Sequence, residues 1–143
     1  MKVAVKRLHK DAVLPSLGSA YAAGADLYSV EEVTLSAGET KLVHTGLAME
    51  IPVGYGGFIF ARSGLATKRG LAPANKVGVI DADYRGEIMV ALHNHGTLPQ
   101  TLEKGERVAQ LVLMPYLAAE YFETDELSDT ERGAGGFGSS GRK

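Results

Sequence analysis

Ten residues near the end of the chain, Arg132-Gly133-Ala134-Gly135-Gly136-Phe137-Gly138-Ser139-Ser140-Gly141, set one cation, one aromatic ring, two hydroxyls and five glycines side by side. Those groups suit a nucleoside phosphate. Glycine backbone brings several N–H groups close to phosphate oxygens, the serines and Arg132 add donors and charge, and Phe137 can cover a base. The stretch also spells Gly133-x-Gly135-x-x-Gly138, the dinucleotide fingerprint. That fingerprint works between a strand and a helix, whereas here the acidic, polar run Thr124 to Arg132 precedes it and only Arg142 and Lys143 follow it. The Rossmann reading is therefore rejected. A flexible glycine/serine tail is the plain alternative.

Three interior segments share this chemistry. In Phe60-Ala61-Arg62-Ser63-Gly64-Leu65-Ala66 a strand gives way to a helical turn at an Arg-Ser-Gly corner, where the N–H donors of a helix start join the Arg62 charge to bind an anion. The competing reading has Ser63 simply capping a short helix. No Gly-x4-Gly-Lys-Ser/Thr is present, which excludes a P-loop ATPase. In Gly78-Val79-Ile80-Asp81-Ala82-Asp83-Tyr84-Arg85-Gly86-Glu87 two strand-like runs flank a turn, predicting a hairpin that brings Asp81 near Asp83. Two carboxylates so close either bind a hard cation, or divide into a base and a salt-bridged support, or stand solvated on a turn. Tyr84 could lie flat on a sugar or cover the core. In Gly105-Glu106-Arg107-Val108-Ala109-Gln110-Leu111-Val112-Leu113, Gln110 sits among apolar neighbours on a strand and needs a backbone partner or a held water. His93 and His95 share a strand face without a third ligand nearby, and His9 and His44 carry no signal.

These residues need a scaffold, and the rhythm of the chain is that of an all-β protein. Short apolar runs bounded by glycine, proline or asparagine recur about every ten residues. They predict strands over Lys2 to Leu8, Ala25 to Tyr28, Val33 to Leu35, Lys41 to Ile51, Gly57 to Ala61, Val77 to Ile80, Glu87 to His93, Thr101 to Leu102 and Arg107 to Tyr116, with one helical turn from Ser63 to Arg69. Such a set implies a sandwich, barrel or jelly roll. The segment Thr67 to Lys76, with Pro73 and Asn75, yields no pattern. Beyond Tyr116 the composition changes: Glu120 to Glu131 holds six acidic residues and no basic one. Residues 1–122 are thus expected to form the core, and residues 123–143 a flexible linker and glycine-rich tail.

Composition narrows the partners. The chain has 143 residues, a hydrophobic fraction of 45% and a formal charge of −2, which suits one globular domain without general affinity for nucleic acid. The absence of cysteine removes disulfides, thiolate nucleophiles and cysteine-bearing zinc sites. No apolar run reaches a membrane span, and Met1 to Arg7 alternates with charge instead of building a signal peptide; cytoplasm or nucleus is the expected location.

Taken in order, the segments resemble the five motifs of the trimeric deoxyuridine triphosphatases, the dUTPases. Ala23-Gly24-Ala25-Asp26-Leu27-Tyr28 is similar to the first, Ala61 to Leu65 to the second, Gly78 to Gly86 to the third, Gly105 to Leu111 to the fourth, and Arg132 to Gly141 to the fifth. The resemblance spans Ala23 to Gly141. It implies a jelly-roll-like or distorted-barrel subunit, a homotrimer with active sites shared between subunits, Mg2+, and hydrolysis of dUTP to dUMP and pyrophosphate, which limits uracil in DNA and supplies dUMP for dTMP synthesis. By the same resemblance, Asp81 would activate the water that attacks the α-phosphorus and Gln110 would help hold it. Tyr84 would lie under the deoxyribose and exclude a 2′-hydroxyl, while backbone at Gly78 and Met89 would read the uracil edge. Arg62, Ser63 and Gly64 would contact the α and β phosphates. Arg132, Gly138, Ser139 and Ser140 would close over the γ-phosphate, Phe137 would cover the base, and Asp26 would face the metal through water. Met89 departs from the small residue common at that position. The related dCTP deaminases need a glutamate soon after the expected hairpin, where this chain reads Ile88-Met89-Val90-Ala91-Leu92. A catalytically silent regulatory relative is countered by the presence of Asp81, Gln110 and Phe137.

Overall fold

A computed structural model of the chain describes residues 1–136. Within them the strands are β1 (Ala4–Arg7), β2 (Ser16–Leu17), β3 (Ala25–Tyr28), β4 (Val33–Leu35), β5 (Thr40–His44), β6 (Leu47–Glu50), β7 (Tyr55–Phe60), β8 (Leu71–Pro73), β9 (Gly78–Ile80), β10 (Met89–Asn94), β11 (Gln100–Leu102) and β12 (Arg107–Pro115), with one helix, α1 (Ser63–Arg69), between β7 and β8. Every pairing is antiparallel. The largest sheet runs β2-β3-β12-β7-β9, a second runs β5-β10-β8, and β1-β6 and β4-β11 form two-stranded pairs. The all-β, jelly-roll-like expectation holds.

Alternation on the strands builds the core. On β10 the even positions Val90, Leu92 and Asn94 are fully buried while their neighbours are half-buried, and on β4 Val33 and Leu35 point inward with Thr34 exposed between them. Leu27, Val43, Leu47, Leu71, Leu102 and Val108 complete a single apolar cluster. Asn94 is tolerated there because its amide donates to the carbonyls of Leu35 and Leu98 and accepts from the Gly96 amide.

The structure corrects the sequence reading in three places. The strand expected over Lys41 to Ile51 is two strands, broken at Gly46. There φ is +66°, and a Cβ would stand 2.8 Å from His9 Cβ and 2.9 Å from Val30 Cγ1, so only glycine turns this corner. The hairpin expected around Asp81 is a crossover: β9 pairs with β7 while β10 pairs with β5 and β8, and the chain passes from one sheet to the other. The unread segment after Thr67 resolves into the C-terminal part of α1, a left-handed cap at Gly70 (φ +65°) whose amide bonds Ala66, and the short edge strand β8. Pro73 is permitted there because β8 pairs on one side only. β2 was also unread, being two residues long.

After β12 ends at Pro115, residues 116–134 are exposed and form no strand or helix. Among the described residues no helix is long and apolar enough to cross a membrane.

Candidate active site

The sequence-predicted residues fall into two clefts. The first, about 250 Å³, is lined by Gly24, Asp26, Arg62, Ser63, Gly64, Arg107 and Gln110, with Gly18 and Ala22 at its side. Asp26 on β3 is the register partner of Gln110 on β12, and Gln110 in turn faces Phe60, the last residue of β7, so three adjacent strands deliver the site. Arg62 Nε donates to Asp26 Oδ1 at 2.8 Å, and Arg107 Nη1 donates to Oδ2 at 3.3 Å. Gln110 Nε2 donates to the Ala61 carbonyl at 2.8 Å, and a Cβ at Gly24 would strike Gln110 Oε1 at 2.7 Å. The glutamine is therefore held in one pose, its oxygen left as an acceptor above Gly24.

A β-bulge brings Arg107 into this cleft. Residues three apart on a regular strand point to opposite faces. In β12 the register slips between Arg107 and Ala109, so that Arg107 faces Tyr28 and Gln110 faces Asp26, two positions of β3 that share a face. Val108 and Ala109 are consecutive and both fully buried, as the slip requires.

Helix α1 begins at the rim of the same cleft. Its N-cap is Arg62, extended and without a side-chain cap, and Ser63 is the first helical residue, so Ser63 does not serve as the cap. The amides of the first turn are left for another acceptor, and no acidic side chain sits there to compete. Gly64 is exposed, and nothing lies within 4 Å of a Cβ added to it. Glycine in a helix costs up to about 1 kcal/mol against alanine, and the packing of this chain does not demand it here.

The second cleft, about 290 Å³, is lined by Ile59, Asn75, Gly78, Asp81, Tyr84 and Met89, with Leu42, Val79, Ile80, Glu87, Ile88 and Ala91 around them. Asp81 begins a turn closed by the Tyr84 amide on its carbonyl at 3.2 Å, and its side chain is exposed. The Tyr84 hydroxyl donates to the Glu87 carbonyl at 2.9 Å. The ring lies against Gly86, where a Cβ would meet the phenol oxygen at 2.4 Å, so a side chain at position 86 would evict it. At the floor, a Cβ on Gly78 would meet Ile59 Cβ at 3.2 Å and Asn75 Nδ2 at 3.4 Å, so the backbone here is closely packed from behind.

The two clefts have no lining residue in common. The chain thus brings Arg62, Ser63, Gly64, Gln110 and Asp26 together, and separately Gly78, Asp81, Tyr84 and Met89. Arg132 is described: its Nε donates to the Gly135 carbonyl at 2.8 Å. Phe137, Gly138, Ser139 and Ser140 lie outside the described residues.

Sequence reasoning missed four residues here. Asn75 sits in a turn whose next residue, Lys76, has φ +65°, within a segment that had no periodic signal. Arg107 stands three residues before Gln110, a spacing that alternation assigns to the wrong face. His44 and Glu87 meet at 2.9 Å behind the second cleft, and the hydrogen bond to Glu87 holds the His44 imidazolium above the usual histidine range against the opposing effect of burial.

The dUTPase family model matches residues 10–141. The deoxyuridine 5'-triphosphate nucleotidohydrolase of Nautilia profundicola is 51% identical over 142 residues, covering 99% of this chain and 100% of its own. That of Desulfitobacterium hafniense (strain DSM 10664 / DCB-2) is 49% identical over 144 residues, 99% of this chain and 95% of its own. Among solved structures, the dUTPase of Staphylococcus bacteriophage 80alpha with dUPNHPP superposes with a TM-score of 0.92 at 33% identity over 98% of both chains. A variant dUTPase from phage phi11 of S. aureus, which coordinates a structural Mg(II) ion, superposes at 0.82 with 26% identity over 88% of this chain and 98% of its own. A match along nearly the whole sequence, relatives about half identical end to end and a common all-β fold make this chain a member of the dUTPase family.

Proposed function

We propose that the protein hydrolyses dUTP to dUMP and pyrophosphate. The observation that carries this reading is the 290 Å³ cleft in which an exposed carboxylate, Asp81, stands beside an anchored aromatic ring, Tyr84, and an amide, Asn75, against a closely packed floor. Asp81 takes the proton of a water that attacks the α-phosphorus, and Gln110, fixed by Ala61, holds that water through its amide oxygen. Tyr84 packs under the deoxyribose and leaves no space for a 2′-hydroxyl. Asn75 and the backbone at Gly78 and Met89 read the uracil edge, and the tight floor at Gly78 rejects a 5-methyl group. Arg62, Ser63 and Gly64 bind the α and β phosphates, with Arg107 beside them. Arg132 with Gly138, Ser139 and Ser140 closes over the γ-phosphate, and Phe137 covers the base.

The two clefts become one site in a homotrimer, where the Asp81 cleft of one subunit meets the Arg62–Gln110 cleft of another. Their lack of a common residue within one chain supports this arrangement.

Mg2+ fits as an ion carried by the substrate. Among the described residues no group of three or more His, Cys, Asp or Glu could hold a metal, and both oxygens of Asp26 are engaged by arginines. Asp26 would therefore face a hydrated ion through water, and the ion would neutralise triphosphate charge. The substrate is a soluble nucleotide, consistent with work in the cytoplasm or nucleus away from membranes and without stable nucleic-acid binding. Pyrophosphate release from dUTP, with dCTP, UTP and TTP as controls, tests the reading; equal turnover of TTP, or release from none, overturns it.

A further inference from the structure

Behind Tyr84 the chain carries an ion pair to which the proposed chemistry assigns no part. Glu87 is fastened by three groups: its carbonyl accepts from the Tyr84 hydroxyl at 2.9 Å, Oε1 accepts from the Gly46 amide at 2.8 Å, and Oε2 meets His44 Nδ1 at 2.9 Å. The next residue is tied to the same corner, since the Ile88 amide donates to Leu47 at 2.8 Å and the Ile88 carbonyl accepts from Thr45 Oγ1 at 2.6 Å. That corner, between β5 and β6, turns at Gly46 with a positive φ and no room for a Cβ. The loop bearing Asp81 and Tyr84 therefore hangs on a stiff bracket, and the Glu87 side chain is the fastener nearest the ring.

We propose that Glu87 is a positioning residue for Tyr84, and that His44 tightens this hold when protonated, so that rejection of a ribose substrate weakens as pH rises. The inference rests on the reading of Tyr84 as the sugar gate. Glu87 and Glu31 are the acids facing His44, and His9 lies across the cleft formed by Leu8, Val30, Glu31, His44, Gly46 and Glu87; His9 is itself 3.9 Å from Asp11. The Glu87 hydrogen bond raises His44, as does the charge of Glu31. A raised folded-state value means that the ion pair is complete below the ordinary histidine value and is lost as pH climbs through the raised one, leaving a weaker neutral hydrogen bond. The His44 side chain is 45% exposed, so the effect is screened and amounts to about two- to fivefold.

The experiment measures kcat/KM for dUTP and for UTP across neutral pH and follows their ratio, in which the ionisations of the triphosphate and of the shared catalytic groups cancel. The wild-type ratio is expected to fall about two- to fivefold as pH rises. Glu87→Ala, which strips the Gly46 amide of its acceptor, should lower the ratio at every pH and quicken hydrogen exchange at the amides of residues 84–88 in the free protein. Glu87→Gln keeps an acceptor for Gly46 and an N–H for neutral His44, so it should recover the ratio while flattening its pH dependence, and it settles the matter should the alanine variant not fold. A flat wild-type profile overturns the part given to His44. Unchanged exchange and an unchanged ratio in Glu87→Ala, with Tyr84→Ala losing discrimination, overturn the positioning role. If Tyr84→Ala leaves the ratio intact, the gate reading falls alone, and exchange that quickens in Glu87→Ala and recovers in Glu87→Gln sustains the fastening.

Discussion

Gln110 stands directly across the β3–β12 ladder from Asp26, yet each is bound elsewhere: the glutamine to the Ala61 carbonyl, the aspartate to Arg62 and Arg107. Two polar side chains that could have paired are instead held apart. The arrangement keeps an amide oxygen and a pair of guanidinium groups on one face of the sheet, as the proposed binding of a triphosphate and an attacking water would need.

Asp81→Asn preserves size and loses the proton acceptor. Turnover of dUTP should fall by about a hundredfold or more while a non-hydrolysable analogue still binds. Retention of kcat within about threefold would take the base role away from Asp81.

Two glycine-to-alanine changes should move in opposite directions. Gly46→Ala forces a methyl into contact with His9, Val30 and Ala12 at a positive φ, and should destabilise the fold by about 2–4 kcal/mol. Gly64→Ala meets open space in a helix and should gain up to about 1 kcal/mol. If Gly64 approaches phosphate closely, the same variant should lose at least about tenfold in kcat/KM. Thermal melts and steady-state kinetics on both proteins decide; a Gly64→Ala enzyme that is both more stable and fully active removes Gly64 from the phosphate site.

Arg107→Gln leaves Asp26 with Arg62 as its one guanidinium partner among the described residues. The Arg107 side chain is half exposed, so the expected change is a rise of about three- to tenfold in KM for dUTP and in the inhibition constant of pyrophosphate. A KM unmoved by the substitution would restrict Arg107 to holding Asp26.

Ownership of the tail can be read by mixing two dead variants, Asp81→Asn and a chain ending at Glu131. In a closed threefold ring whose sites combine one chain's Asp81 with another's tail, random mixing makes about three-quarters of the trimers mixed, each with about one working site in three. Co-refolded protein should regain roughly a quarter of wild-type activity. Silence, with mixed trimers confirmed by mass, rules out sharing.

Much of this architecture was legible because strand ends coincide with glycine, proline and asparagine: β3 and β4 lie where the sequence put them, and α1 runs from Ser63 to Arg69 as expected. Gly46 was misread because an isolated glycine inside an apolar run does not announce whether its φ is positive; the crowding by His9, Ala12 and Val30 that settles the matter comes from distant sequence. The His44–Glu87 pair joins residues 43 apart and leaves no local trace. Asn75 and β8 escaped because a three-residue edge strand carrying a proline has neither period nor propensity. The division of the site residues into two clefts was invisible for a different reason, since motif order says nothing about which face of the fold each motif occupies.

The bulge in β12 has a consequence for how this chain can change over time. Substitution at Val108 trades one buried side chain for another, and removing it would close the bulge, leaving Arg107 two residues before Gln110 and on the same face of a regular strand, without the local bend that the bulge imposes. The two buried positions between Arg107 and Gln110 thus take the place that a regular strand gives to one. Drift can rewrite their letters, and even the loss of one codon there would leave Arg107 and Gln110 side by side on the face that bears Asp26.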